Sequence, residues 1–264
     1  MIRLDYTFMT APAVAGGIGD GEFTAARSAF AAAQAATMAR HASGELGFFD
    51  LPGDRALLAQ SVRLAADDRV RGTADVVVLG IGGSALGPIA LRTALRPSGW
   101  NALSESARGG FPRLHVLDNV DPVTILALLG RLNLATTRCI VTSKSGGTAE
   151  TLAQYLVVRD RLAQGGLSPK DHLVFVTDPG RGALRRIAGD EAIPTADIPP
   201  NVGGRFSVLS PVGVLPAAMA GIDVQALLDG AADMRRRCEA GELHRNPAGV
   251  FAVLQWLADT RHGR

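Results

Sequence analysis

VVVLGIGGSALGP, Val76 to Pro88, passes from a β-branched run into a glycine loop and on into a helical segment. β-branched side chains suit a strand, and the glycines free the backbone where that run ends. The change recurs downstream. Leu114–Leu117, Arg138–Val141 and Leu173–Val176 are short apolar runs, each followed by a segment of helical character. Strands alternating with helices predict parallel βαβ units, right-handed connections and a sheet covered on both faces. The expected fold is α/β, a doubly wound parallel sheet. In the helix after the second run, Asp121 can cap, Pro122 fits the first turn, and Val123, Ile125, Leu126 and Leu129 supply an apolar face.

Outward from this core the pattern is helical. Residues 23–41 are rich in Ala, and residues 54–66 carry a helical stripe after Pro52-Gly53-Asp54. Strand signals stop after Pro199-Pro200, and 211–220, 223–239 and 246–259 read as helices. The division expected is an N-terminal helical segment (1–68), a sheet domain (69–200), and a helical stretch (201–264) that begins an incomplete second domain.

Composition narrows the class. The 264 residues are 47% hydrophobic and 20% charged, enough to build a core and too apolar for a disordered chain. Net charge is +2, too small to argue for a nucleic-acid surface. Cys139 and Cys238 cannot make a multi-bridge scaffold or a four-cysteine zinc site, and Cys139 reads as a core residue. The five histidines are scattered, so no metal is expected. Neither a signal-peptide pattern nor an 18-residue apolar run is present, which makes a soluble cytoplasmic protein without membrane contact the expectation. Arg235-Arg236-Arg237 sprays around a predicted helix and reads as a solvated face.

Three loops carry chemistry. Gly80–Pro88 follows the first strand, where glycines let an anion approach a helix start; a tight structural turn is the plainer reading. It also approximates a dinucleotide fingerprint, with Ala85 third and Asp118 as the ribose ligand. Asp118 lies 36 positions beyond Gly82, however, where about 20 are expected. Ser143–Thr151 follows the third strand. Ser143, Ser145 and Thr148 bring hydroxyls, and Lys144 is one of only two lysines. Hydroxyl and backbone donors plus one point charge make a phosphate cradle. The plainer alternative is an ordinary loop with Thr148 capping the helix. Third, Asn201–Ser207 puts Arg205 behind Gly203 and Gly204, where a guanidinium could stabilise an oxyanion or simply lie at the surface.

Together the three loops resemble the glucose-6-phosphate isomerase family in its bacterial form. Gly80–Pro88 is similar to that family's GIGGS-x-LGP loop, Ser143–Thr151 to its SKS/T-x-x-T-x-E-T loop, and Val202–Ser210 to its GGR-[FY]-S signature. The second loop also belongs to the wider sugar-isomerase (SIS) fold, so the resemblance implies an SIS-type, flavodoxin-like domain. It further implies Gly83 and Ser84 at the sugar, and Ser143, Ser145 and Thr148 with Lys144 around the 6-phosphate. Arg205 would stabilise a cis-enediolate, with Glu150, Gly203 and Gly204 in support. No cofactor is implied, and the parent protein would be a homodimer acting on a small sugar phosphate.

The sequence also departs from that pattern. The family's base Glu, ring-opening His and late Lys lack counterparts, and its FDQ-x-GVE-x-x-K signature is absent. Glu239, Glu242, His244 and His262 sit in no matching motif, and the two histidines read as exposed helix-end residues. The expectation is therefore a chain that binds phosphosugars without isomerising them at an enzyme-like rate. The other classes are a non-catalytic SIS-type binding module and a nicotinamide-dependent dehydrogenase.

Overall fold

The computed structural model describes residues 2–263. One sheet holds five strands: β1 (Asp75–Leu79), β2 (Arg113–Leu117), β3 (Thr137–Ser143), β4 (Leu173–Thr177) and β5 (Thr195–Asp197). Their order is β2-β1-β3-β4-β5, and every pair is parallel. The first four are the runs read from the sequence. The fifth escapes that reading, because three residues behind Pro194 leave no apolar pattern to find.

The helices are α1 (Asp20–Ala25), α2 (Arg27–Ala42), α3 (Arg55–Val70), α4 (Gly83–Leu95), α5 (Pro122–Leu129) and α6 (Ala149–Gln164). They continue with α7 (Pro169–His172), α8 (Ala183–Glu191), α9 (Pro211–Met219), α10 (Val224–Cys238) and α11 (Pro247–His262). The single helix expected over 23–41 is broken at Ala26, which ends α1 and begins α2. Asp121 does cap α5, accepting from the amides of Val123 (3.3 Å) and Thr124 (2.9 Å).

The described chain forms two compact units. One is Asp50–Leu228; the other joins residues up to Phe49 with those from Asp229 onward. Asp50–Leu228 holds the sheet. Side chains alternate across it with period two. Val76, Val78, Ile140, Val174 and Val176 pack on Leu64 of α3 and on Val212, Leu215 and Met219 of α9. Val77, Leu79, Val141 and Phe175 face α5, α6 and α8 through Ile125, Tyr155 and Leu184. Cys139 lies in this second core, and burial pushes its thiol up to about 12, which makes it unreactive. In the other unit, Phe30 packs on α11 so closely that a Cβ on Gly249 would lie 2.2 Å from its ring. His262 is held there by Glu22 at 3.2 Å with its side chain 21% exposed, so it is not the open helix-end residue expected; His244 is. No described helix is long and apolar enough to cross a membrane.

The amino end of β1 carries a buried charge. The carboxylate of Asp75, 1% exposed, accepts two 2.6 Å bonds from the Arg113 fork and faces His115 Nε2 at 2.9 Å. Burial raises its pKa, but the bonds from Arg113 and His115 outweigh burial and hold it well below 3.8, its ordinary value. A carboxyl lowered on folding stabilises the fold above its ordinary pKa, and that contribution is lost as pH falls below it. Asp75→Asn is therefore expected to lower Tm at neutral pH. The gap from the parent should narrow as pH falls from about 4 towards 2 in a calorimetric series. A gap that stays constant across that range would refute the linkage.

Candidate phosphate-binding site

A parallel sheet presents its ligand crevice beyond the carboxyl ends of the strands, where the strand order reverses. Here the reversal falls between β1 and β3. α6, after β3, packs on the face of Val77 and Leu79. α4, after β1, packs through Leu91 on α9, which covers the opposite face. The loops after β1 and β3 therefore flank the crevice. A cavity of about 670 Å³ lies elsewhere, at the amino ends of the strands, lined by Thr73, Ala74, Phe111 and Met219. Strand polarity makes the carboxyl-end crevice the better candidate.

In the loop after β1, Gly82 has φ +57° and begins α4. A Cβ on Gly83 would lie 2.1 Å from the carbonyl oxygen of Gly204, inside any permitted contact. Glycine at 83 thus lets two backbones touch, and this joins the first loop to the arginine loop. A Cβ on Gly87 would in turn meet Val208 at 3.1 Å.

The loop after β3 gathers its hydroxyls. Ser143 Oγ lies 2.9 Å from Thr148 Oγ1 and 3.4 Å from Ser145 Oγ, and Ser145 and Thr148 are 3.5 Å apart. Thr148 is the N-cap residue of α6, yet its hydroxyl makes no capping bond. This removes the ordinary-cap reading: the hydroxyl points into the cluster and the helix start stays open. Such a start carries partial positive charge and unpaired N–H groups, which suit an anion. Ser143 is buried and Ser145 exposed, so the cluster runs from the strand end out to solvent. Lys144 does not join it. Its Nζ donates to the carbonyl oxygen of Pro200 at 2.7 Å, tying this loop to the chain that enters the arginine loop. Glu150 is exposed in the first turn of α6, where a carboxylate stabilises the helix dipole.

The arginine loop is a short 3₁₀ turn, Gly204–Phe206, hooked by Ser207 Oγ on the Gly204 carbonyl at 2.8 Å. Arg205 is exposed and makes no hydrogen bond or ion pair with another described residue. Its charge is not neutralised by a neighbouring carboxylate.

One wall of the site escaped the sequence reading. The segment Asp178–Gly182 after β4 backs the hydroxyl loop, and a Cβ on Gly182 (φ +98°) would lie 2.4 Å from the Ser145 carbonyl oxygen. Its only signal in the sequence was Asp178-Pro179-Gly180-Arg181-Gly182, a turn-forming string after a strand.

Comparison with known proteins identifies the chain's relatives. Residues 65–260 match the family model for phosphoglucose isomerase. The glucose-6-phosphate isomerase of Carboxydothermus hydrogenoformans is 44% identical over 242 residues, which are 91% of this chain and 52% of that protein. That of Rubrobacter xylanophilus is 47% identical over 225 residues, 83% of this chain and 50% of that protein. Among solved structures, a hypothetical protein from Thermus thermophilus superposes with TM-score 0.75 at 37% identity, covering 90% of this chain and 54% of that one. A glucose-6-phosphate isomerase from Chlamydia trachomatis gives 0.65 at 26% identity, covering 85% and 39%. The chain spans about half the length of the curated relatives it matches.

Gly83→Ala is expected to cost about 1–3 kcal/mol by forcing the Gly83 and Gly204 backbones apart. Gly147→Ala serves as control, since nothing lies within 4 Å of its added Cβ. Denaturant titration of both variants measures the difference; equal stabilities would mean that the two loops do not touch in solution.

Proposed function

The chain belongs to the phosphoglucose isomerase family, and from that premise we propose that its crevice holds the phosphate end of a hexose 6-phosphate for aldose–ketose isomerisation. The observation that carries the reading is the hydroxyl cluster of Ser143, Ser145 and Thr148 at an uncapped helix start. Three hydroxyls facing one point, beside oriented N–H groups, match the several oxygens of a phosphate ester. Lys144 adds positive potential from the same loop while its ammonium stays anchored on Pro200. Gly83 and Ser84 line the sugar side.

Interconverting glucose 6-phosphate and fructose 6-phosphate moves a proton between C1 and C2 through a cis-enediolate. The step needs a base near those carbons and a cation for the developing negative charge. Arg205 is suited to the second role, because it is unpaired among the described residues and its loop abuts Gly83. Gly203 and Gly204 support the role by letting that loop approach. Glu150 stays a supporting residue at the helix start. We assign no base, ring-opening histidine or late lysine within these 264 residues, since no residue stands in the corresponding motifs. The reaction uses no cofactor. The reading extends to a homodimeric, cytoplasmic parent protein.

Calorimetric titration of this chain with glucose 6-phosphate, inorganic phosphate and glucose tests the proposal. Both phosphates are expected to bind and glucose is not. Ser145→Ala combined with Thr148→Val should weaken phosphate binding about tenfold or more at unchanged Tm. Conversion to fructose 6-phosphate should stay at the blank rate. A double variant that binds like the parent overturns the phosphate assignment. Turnover that disappears in Arg205→Ala would instead place the base inside this chain.

A further inference from the structure

The phosphate loop is aimed from behind. Asp178 N–H donates to the Lys144 carbonyl at 3.3 Å, and Leu184 N–H donates to the Gly146 carbonyl at 3.2 Å. A trans peptide directs its C=O and N–H to opposite sides. Fixing those two carbonyls on the 178–184 segment therefore turns the N–H groups of Ser145 and Gly147 away from it. The Gly147 amide does point onto the hydroxyl cluster, donating to Ser145 Oγ at 3.3 Å. Gly146 (φ +66°) and Gly182 lie back to back, with a Cβ on either meeting the other's Cα at 3.0 Å. The loop's aim is thus only as firm as the segment behind it.

That segment is held by Arg185 of α8. Its Nε donates to the Asp178 carbonyl at 2.9 Å and its Nη2 approaches the Thr177 carbonyl at 3.5 Å. Across the sheet edge, Nη1 donates to Thr195 Oγ1 at 2.8 Å and Nη2 to Asp197 Oδ1 at 2.5 Å. Asp197 is itself fixed, because Gln60 of α3 donates to Oδ2 at 2.9 Å and accepts from the Asp197 amide at 3.0 Å. One planar fork thus locks the carboxyl end of β4 to β5, at the point where the backing segment begins.

We propose that Arg185, braced by Asp197 and Gln60, is a positioning residue of the phosphate site, aiming the Ser145 and Gly147 amides through the 178–184 segment. The proposal rests on the phosphate reading above and adds residues outside all three motif loops. A lysine at 185 keeps the charge but cannot span two strands with a rigid fork.

The test is ¹⁵N NMR of the 264-residue chain titrated with inorganic phosphate. In Arg185→Lys, the Ser145 and Gly147 amide resonances should move before phosphate is added, and the phosphate Kd should rise about tenfold, as when outer residues that orient ligands are replaced. Asp197→Asn should act in the same direction by a smaller factor. Arg113→Lys removes an equally well-partnered arginine from the amino end of β2, and it should leave both resonances and the Kd unchanged. Parent-like resonances and Kd in Arg185→Lys overturn the inference. If that variant does not fold, Asp197→Asn decides by the same two readouts. A parent chain that fails to bind phosphate overturns the proposed function instead, and the positioning role falls with it. The resonances of the variants then still report whether Arg185 sets the loop's geometry.

Discussion

The strand order turns back between β1 and β3, and the site follows from that reversal. Two parallel neighbours whose helices depart over opposite faces cannot have their following loops pack side by side. A crevice opens, with a helix start on each side. The start of α6 leaves its first N–H groups open to that space, whereas at α4 the amides of Ser84, Ala85 and Leu86 bond to the carbonyls of Ile81 and Gly82. What remains for the sequence to supply is side chains that suit an anion, and glycines small enough for the loops to close in.

Those glycines act by the contacts they permit. At Gly83 the missing Cβ admits the Gly204 carbonyl, and at Gly182 it admits the Ser145 carbonyl. These two close approaches connect the loop after β1 to the arginine loop, and the loop after β3 to the segment after β4. Backbone-to-backbone packing has no rotamers to average over, so it fixes loop positions more tightly than long side chains would. Lys144 adds a third link, because its ammonium ties the hydroxyl loop to Pro200. A lysine that looked like a ligand from its neighbours in sequence is, in space, also a strut.

Much of this was legible in the residues. The apolar runs located four strands, the Asp121-Pro122 pair located a helix start, and the three motif loops fall after β1, after β3 and before α9. What stayed hidden has a common physical cause. β5 is three residues long and is stabilised by pairing with β4, not by its own composition. The partner of Lys144 lies 56 positions away and is a carbonyl, a group every residue carries. Arg185, Asp197 and Gln60 are a helix arginine, a strand-end aspartate and a helix glutamine, and nothing local distinguishes them from solvated residues. Only the fold brings them together. Sequence reading finds chemistry concentrated in one loop, and it misses support assembled from distant elements.

The same distinction separates binding a phosphate from moving a proton. Holding a phosphate needs donors converging on one point, and on the proposed reading a single strand–loop–helix turn supplies them, with hydroxyls at positions 143, 145 and 148 and amides between. Moving a proton is more demanding. A carboxylate must sit within hydrogen-bond reach of carbons far from the phosphate, together with a cation for the charge that develops there. That arrangement calls for more than one rigid element around the substrate. Phosphate binding can therefore be built locally, while catalysis draws on it from a distance: energy gained at the non-reacting end holds the reacting carbons against groups placed elsewhere. On the proposed reading, the hydroxyl loop and Arg205 stand on the sides of the crevice, and no base is assigned to face them within these 264 residues.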